Sequence, residues 1–221
     1  AELPDPTEVG SANVRVIAPT LLTPQKTAQD LNGGALEPGD FVTYTVRIRK
    51  DPGTSAAALT FVDDITAYAA LQTVNASGFT DESTLTGGAN GSGQVRVTDI
   101  TIPVGATAAT LSFTVRIRSV EELLAAGVDA ADIDGLLIRN QGTLNAAFLP
   151  SPLLTDNPAT SASPDPTDLR LTSSVNFRNA STFKSAEDVD GEPLAPGDTV
   201  RFTISVRNSG SQPAQVDLSD D

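Results

Sequence analysis

The sequence of 221 residues contains no cysteine, methionine, tryptophan or histidine. Without cysteine the chain can form neither a disulfide nor a thiolate metal site, and without histidine it lacks the commonest general base and zinc ligand. Aromatic residues are also few, with two tyrosines and eight phenylalanines, so a broad aromatic binding platform is not indicated. We therefore expect a protein that is not an enzyme.

Positive charge is scarce as well. The chain has 14 basic against 28 acidic residues, a net charge of −14 and a pI near 4.2. Such a surface repels phosphates, which excludes nucleic acid as a favoured partner. No stretch of eighteen apolar residues is present, so we expect no membrane span in this sequence. The acidic composition is typical of a secreted or cell-surface protein.

The sequence repeats itself over a long distance. Residues 27–49 (TAQDLNGGALEPGDFVTYTVRIR) return as residues 185–207 (SAEDVDGEPLAPGDTVRFTISVR), so the period is that of a whole domain. The segment LPDPTEV at 3–9 also resembles SPDPTDL at 163–169. The predicted organisation is a linker or tail of a preceding repeat at 1–10, a complete repeat at 11–155, a linker at 156–168 and the N-terminal part of a second repeat at 169–221.

Most of the chain has the period-two pattern of half-buried strands. Residues 41–49 alternate apolar side chains with Thr or Arg, which directs Phe41, Tyr44 or Val42, Val46 and Ile48 towards a core. The same pattern recurs at 57–62, 94–102, 109–118, 136–149, 171–177 and 199–207. Turn residues separate these runs. The pattern predicts an all-β fold, an antiparallel Ig-like β-sandwich in tandem repeats.

One short helix is predicted within this pattern. Ser119 and Glu122 have the spacing of a capping box, and Gly127 suits the residue just beyond the helix. The helix would serve as a crossover between the last two strands.

Three carboxylates follow the helix, at Asp129, Asp132 and Asp134, directly before Gly135. They resemble a calcium loop only in part, because the alternating acidic spacing and the distant bidentate Glu are missing. A calcium site and a solvated turn both remain open, and no other cofactor is expected.

Five segments occur in an order that is typical of one family: Lys26-Thr-Ala, LEPGDFVTYTVRIR at 36–49, LTFVDDI at 59–65, LSFTVRIR at 111–118 and IRNQGTL at 138–144. The chain resembles the bacterial surface-repeat family known as domain of unknown function eleven. The resemblance covers most of residues 14–149 and restarts near Val175, with Gly142 in place of the usual Ala. It implies Ig-like stalk modules of secreted or surface-anchored bacterial proteins, without catalytic residues.

One chemical constellation can be derived from residue types. Lys26 lies near the first strands, Asp63 or Asp64 ends a strand, and Asn140 lies in the closing strand. If the core brings them together, a deprotonated lysine could attack the asparagine amide beside a neutral carboxyl group and form an isopeptide bond. In the alternative, Lys26 reaches solvent or pairs with an Asp, the aspartates cap a turn and Asn140 bonds to backbone.

Three interpretations of function remain. The first is a structural module of a stalk, adhesin shaft or fibre, with neighbouring repeats or identical subunits as partners and stiff Pro-Asp-Pro-Thr linkers. The second is a module that binds a surface glycan or protein through its loops, with residues 75–94 and Phe79 as the candidate region. The third is a filament subunit whose incomplete second repeat is completed by strand donation from a neighbour.

Overall fold

The computed structural model describes residues 21–173, 182–191, 193–206 and 214–220. The predicted linker at 1–10 and most of the predicted strand at 171–177 lie outside these residues. The all-β prediction is confirmed, because antiparallel sheets make up the first repeat. None of the helices in the described part of the chain is long and apolar enough to cross a membrane.

Within residues 21–173 the first repeat contains eleven strands and one short α-helix. In chain order they are β1 (Leu22–Asp30), β2 (Phe41–Lys50), β3 (Ala56–Asp64), β4 (Ala69–Asn75), β5 (Thr80–Asp81), β6 (Gln94–Ile102), β7 (Ala108–Ile117), α1 (Val120–Ala125), β8 (Leu137–Asn140), β9 (Thr143–Asn145), β10 (Leu153–Leu154) and β11 (Thr167–Arg170). One sheet has the order β1-β2-β7-β4 and the other β10-β9-β3-β6-β5, while β8 pairs with β11. Apolar side chains from these elements form one core.

The register of β2 decides which of its side chains enter that core. Val42, Tyr44, Val46 and Ile48 are buried, whereas Phe41 is 38% exposed and lies on the opposite face. Strand residues alternate between faces, so only one of Phe41 and Val42 can point inward. The Tyr44 ring stacks on that of Phe113 from β7, with centroids 5.2 Å apart.

The predicted helix is present with both of its caps. The Ser119 side chain accepts from the Glu122 amide, and the Glu122 carboxylate accepts from the Ser119 amide, which completes the capping box. The chain leaves the helix through Gly127, whose φ is +87°. Gly127 N–H donates to Leu124 and Val128 N–H to Leu123, the pattern of a Schellman motif.

The closing segment differs from the single strand expected at 136–149. It is divided at Gln141 and Gly142 into β8, which pairs with β11, and β9, which pairs with β3. Because β11 supplies buried Thr167 and is followed by buried Leu171, the end of the predicted linker at 156–168 belongs to the first repeat. The alternating Thr-Asp-Leu-Arg pattern of this stretch explains why it pairs as a strand.

The second repeat is described as one antiparallel pair, β12 (Thr182–Asp188) and β13 (Val200–Val206). Its register is that of β1 and β2, since Lys184 lies opposite Ile204 as Lys26 lies opposite Val46. The two strand pairs therefore have the same register at corresponding sequence positions.

Candidate functional site

Lys26 lies inside the sandwich rather than at its surface. Its side chain is fully shielded from solvent, which excludes the alternative in which it reaches water. The backbone around it is fixed on both sides, because Lys26 N–H donates to the Asp156 carbonyl at 2.9 Å and Thr167 Oγ1 donates to the Lys26 carbonyl at 3.0 Å. The position of the amine is thus set by β1 and by residues close to the end of the repeat.

Asp63 meets this amine from the opposite sheet. Lys26 Nζ lies 2.7 Å from Asp63 Oδ2, and both side chains are wholly buried. Asp64 is directed outward, where its Oδ1 accepts from Gln94 Nε2 at 2.8 Å. The alternation along β3 therefore selects Asp63 over Asp64 as the partner of Lys26 and keeps the two carboxylates apart.

Asn140, the last residue of β8, is the third member of the site and is 3% exposed. Its Nδ2 and Asp63 Oδ1 are both buried, and neither has a hydrogen bond of acceptable distance and angle. The amide nevertheless lies close enough to the carboxyl group to lower the Asp63 pKa, against the larger opposing effect of burial. The site thus contains an amide whose NH₂ has no stabilising partner in the core.

Burial favours the uncharged forms of both ionisable groups. Desolvation lowers the pKa of Lys26 from its ordinary value of 10.5, although the charge of Asp63 opposes the change. Desolvation raises the pKa of Asp63 from 3.8, although Lys26 opposes this in turn. Since removing both charges from water costs more than a single contact returns, we take the neutral amine and neutral carboxylic acid as the favoured pair.

Aromatic and small residues close the site, and sequence reasoning did not assign them to it. The Tyr44 ring lies 5.3 Å from Lys26 Nζ, and burial raises the pKa of its hydroxyl. A Cβ on Gly142 would lie 2.5 Å from Phe61 Cζ and 3.0 Å from Asp63 Oδ2, so only glycine fits there. The inward alternation of Tyr44 in β2 was the signal available in the sequence for that residue.

The three predicted calcium ligands are not assembled into a site. The described residues include no group of three or more Asp, Glu, His or Cys that could hold a metal ion. Asp129 begins a 3₁₀ turn by accepting from the Asp132 amide, and Asp134 Oδ1 accepts from the Ser173 amide at 3.0 Å. Among the described residues, Asp134 therefore uses its carboxylate to bind a backbone amide, whereas Asp129 and Asp132 contact each other through backbone groups.

The loop predicted as a binding region, residues 75–94, is tied to the sandwich. Phe79 is only half exposed and packs against the core. Thr84 and Gln94 exchange backbone hydrogen bonds of 2.9 and 2.8 Å across the loop. The loop therefore offers no exposed aromatic platform.

Neither a family model nor a curated protein matches the chain. Among solved structures, it is similar to the Corynebacterium diphtheriae major pilin SpaA, described as pointing "to a modular pilus assembly stabilizing isopeptide bonds", with 14% identity and a TM-score of 0.40. It is also similar to the full-length major pilin SpaD of the same organism, with 16% identity and a TM-score of 0.34. The matches cover 84% and 77% of this chain but only 52% and 39% of the pilins.

Proposed function

We propose that this chain is a structural repeat module of a secreted or surface-anchored bacterial stalk or fibre, and that an isopeptide bond between Lys26 and Asn140 locks its first repeat. The observation that carries the proposal is the buried Lys26–Asp63 pair beside the unpartnered amide of Asn140. Lys26 and Asp63 alone would have no amide carbon centre to react with. The adjoining asparagine supplies the carbonyl carbon that the amine can attack.

The bond forms by amide exchange without an oxidant or a metal. Neutral Lys26 Nζ attacks Asn140 Cγ, and the neutral Asp63 carboxyl group hydrogen-bonds to the amide oxygen as negative charge develops there. Asp63 then carries the proton released by the lysine nitrogen to Asn140 Nδ2. The Cγ–Nδ2 bond breaks, ammonia leaves, and a secondary amide joins the two side chains. The module reacts once with itself, so there is no turnover.

The position of the bond suits a load-bearing module. Lys26 lies in β1 near the start of the described repeat, and Asn140 ends β8 near its close. Tension applied to the two ends of the repeat would pass through the crosslink and bypass the strands between them. The bond would do the work of a disulfide in a chain without cysteine.

Intact mass spectrometry of the folded chain tests the bond. We expect the mass computed from sequence minus one ammonia, and the full sequence mass for Lys26→Arg and for Asn140→Ala. Lys50→Arg is the matched control, because Lys50 is also buried but its Nζ is directed to the Asp51 carbonyl. A full mass in the parent chain would refute the crosslink.

Single-molecule pulling tests the mechanical role. When the repeat unfolds, the crosslinked chain should gain less contour length than Lys26→Arg, because residues 26–140 cannot extend. The difference is on the order of 400 Å for a chain of this span. Equal contour gains for the two proteins would contradict a load-bearing crosslink.

A further inference from the structure

The second repeat contains the same arrangement of lysine, carboxylate and aromatic ring. Lys184 Nζ lies 2.6 Å from Asp220 Oδ1 and 2.7 Å from Asp220 Oδ2. The same amine lies 4.5 Å from the centre of the Phe202 ring. These three residues take the places of Lys26, Asp63 and Tyr44.

The strand register supports this correspondence independently of the contacts. Ala186 pairs with Phe202 as Ala28 pairs with Tyr44. The segment 216–221 (VDLSDD) aligns with 59–64 (LTFVDD), which places Asp220 at the position of Asp63. Strand register and sequence alignment therefore place the lysine, the ring and the carboxylate at equivalent positions in the two repeats.

The two sites differ in how far their side chains are buried. Lys26 and Asp63 are wholly buried, whereas the side chains of Lys184 and Asp220 are 41% and 48% exposed. The residues described in the second repeat, 182–191, 193–206 and 214–220, include no asparagine. The first site includes β8, the strand that carries the Asn140 amide, and the described residues of the second repeat include no equivalent strand.

Exposed apolar residues show where such a strand belongs. Phe202, Val206, Val216 and Leu218 are exposed, while Tyr44, Ile48, Leu59 and Phe61, which hold the equivalent positions, are buried. An apolar face of this kind marks a surface that another element covers. In the first repeat the equivalent residues share one core cluster with Ile138, which lies on the same strand as Asn140.

We propose that Lys184 and Asp220 form a second isopeptide site, which receives an asparagine on a β-strand patterned like β8, with apolar residues alternating about the amide as around Ile138 and Asn140. This inference rests on the proposed function and extends it to a second site.

Burial by the incoming strand is the step that starts the reaction. The Lys184–Asp220 contact is a surface salt bridge whose two side chains are 41% and 48% exposed. Once covered, both groups favour their neutral forms, as at Lys26 and Asp63. Lys184 Nζ then bonds to the asparagine Cγ, the Cγ–Nδ2 bond breaks, and ammonia leaves with the proton carried by Asp220. The site is inert until the correct strand is docked.

The first experiment supplies the strands within one chain. A copy of residues 65–173 is placed after Asp221, so that the second repeat receives its strands in the order of the first. We expect the intact mass to show the loss of two ammonias. Lys184→Arg or Asp220→Ala should remove one loss and leave the other, whereas Lys26→Arg should remove only the loss that belongs to the first repeat. The two proposals can therefore fail separately.

Trypsin resistance at Arg201 shows whether the added strands have folded over the second repeat. A resistant second repeat without a Lys184-dependent loss of ammonia would overturn the inference. If this repeat stays sensitive, the unmodified chain is instead incubated with a synthetic peptide of residues 136–146. A covalent adduct at Lys184 that lacks one ammonia, and that is absent with the Asn140→Ala peptide, supports the site. No adduct in that case overturns it.

Discussion

Lys26 Nζ and Asp63 Oδ2 lie 2.7 Å apart in the interior of the first repeat, with neither side chain exposed. A buried ion pair stabilises little in itself, because desolvation of the two charges offsets their attraction. In the proposed function the pair instead supplies a nucleophile and its proton carrier. An ion pair and a reactive pair predict different changes in stability when both residues are replaced.

Replacing both charges by apolar residues separates the covalent contribution from the ionic one. For a simple buried ion pair, Lys26→Met with Asp63→Leu should be neutral or stabilising by about 1–4 kcal/mol. For a crosslinked repeat the same double substitution should lower the free energy of unfolding, because closing a loop of about 100 residues is worth about 4–5 kcal/mol. Urea unfolding of the double variant and the parent chain provides the measurement. An unchanged or raised stability would argue against the crosslink.

Asp63→Asn tests the proton carrier while preserving the shape of the side chain. The amide cannot shuttle a proton, so the folded variant should retain the full sequence mass. Asp64→Asn is the matched control, because Asp64 lies on the outer face and accepts only from Gln94 among the hydrogen bonds described for it. We expect that control to lose one ammonia as the parent does. Loss of ammonia in Asp63→Asn would remove Asp63 from the mechanism.

The parts of this site could be predicted from sequence, but their assembly could not. Residue types suggested Lys26, Asn140 and a choice between Asp63 and Asp64. The choice needed the register of β3, which depends on its pairing with strands far away in sequence. The break that separates Asn140 from β9 lies where Gly142 closely approaches the Phe61 ring, and it was not visible in the strand pattern.

The fold could be predicted more fully than the site, because the patterns that indicate its strands and helix involve residues close together in sequence. The alternation of apolar and polar residues predicted β6 with its observed bounds, and the capping box predicted α1. The pairing of β11 with β8 was missed, since a stretch rich in Pro and Asp is typical of a linker. The carboxylates at Asp129, Asp132 and Asp134 had the composition of a cation site without its geometry, because composition does not fix direction.

In the uncrosslinked variant Asn140→Ala, this pair should not make the free energy of unfolding depend on pH near neutrality. Burial lowers the Lys26 pKa from 10.5 and raises the Asp63 pKa from 3.8. Around neutral pH the folded pair therefore holds one proton, on Asp63, and the unfolded pair holds one on Lys26. Equal proton numbers give no slope. Below pH 3.8 the unfolded state binds a second proton, on Asp63, so stability falls as the pH falls. Above pH 10.5 the unfolded state loses the Lys26 proton before the folded state loses its own, so stability falls as the pH rises.

Adding Asp63→Asn to that variant should introduce a slope. The folded site then holds no proton at a neutral Lys26, while the unfolded lysine still holds one. Stability should rise with pH by at most about 1.4 kcal/mol per unit until the pH reaches the unfolded lysine value. Urea midpoints of the two variants between about pH 5 and 9 give the comparison. Parallel pH profiles would mean that Lys26 stays protonated when folded, which would oppose its role as a nucleophile.

Gly142→Ala tests how closely the chain must approach the site. The new Cβ would lie 2.5 Å from Phe61 Cζ, and this ring is fully buried, so neither side can move without disturbing the core. We expect a loss of about 1–3 kcal/mol, as for other overpacked cores.

The matched control is Gly105→Ala, where nothing lies within 4 Å of the added Cβ and φ is not positive. Its effect should stay within about 0.5 kcal/mol. Gly142 lies two residues after Asn140, so a shift of the chain at Gly142 should also move the amide. We therefore expect Gly142→Ala to slow the loss of ammonia. Mass spectrometry after refolding from urea measures this rate. A stable Gly142→Ala chain that loses ammonia at the parent rate would show that the approach to Phe61 does not position the amide.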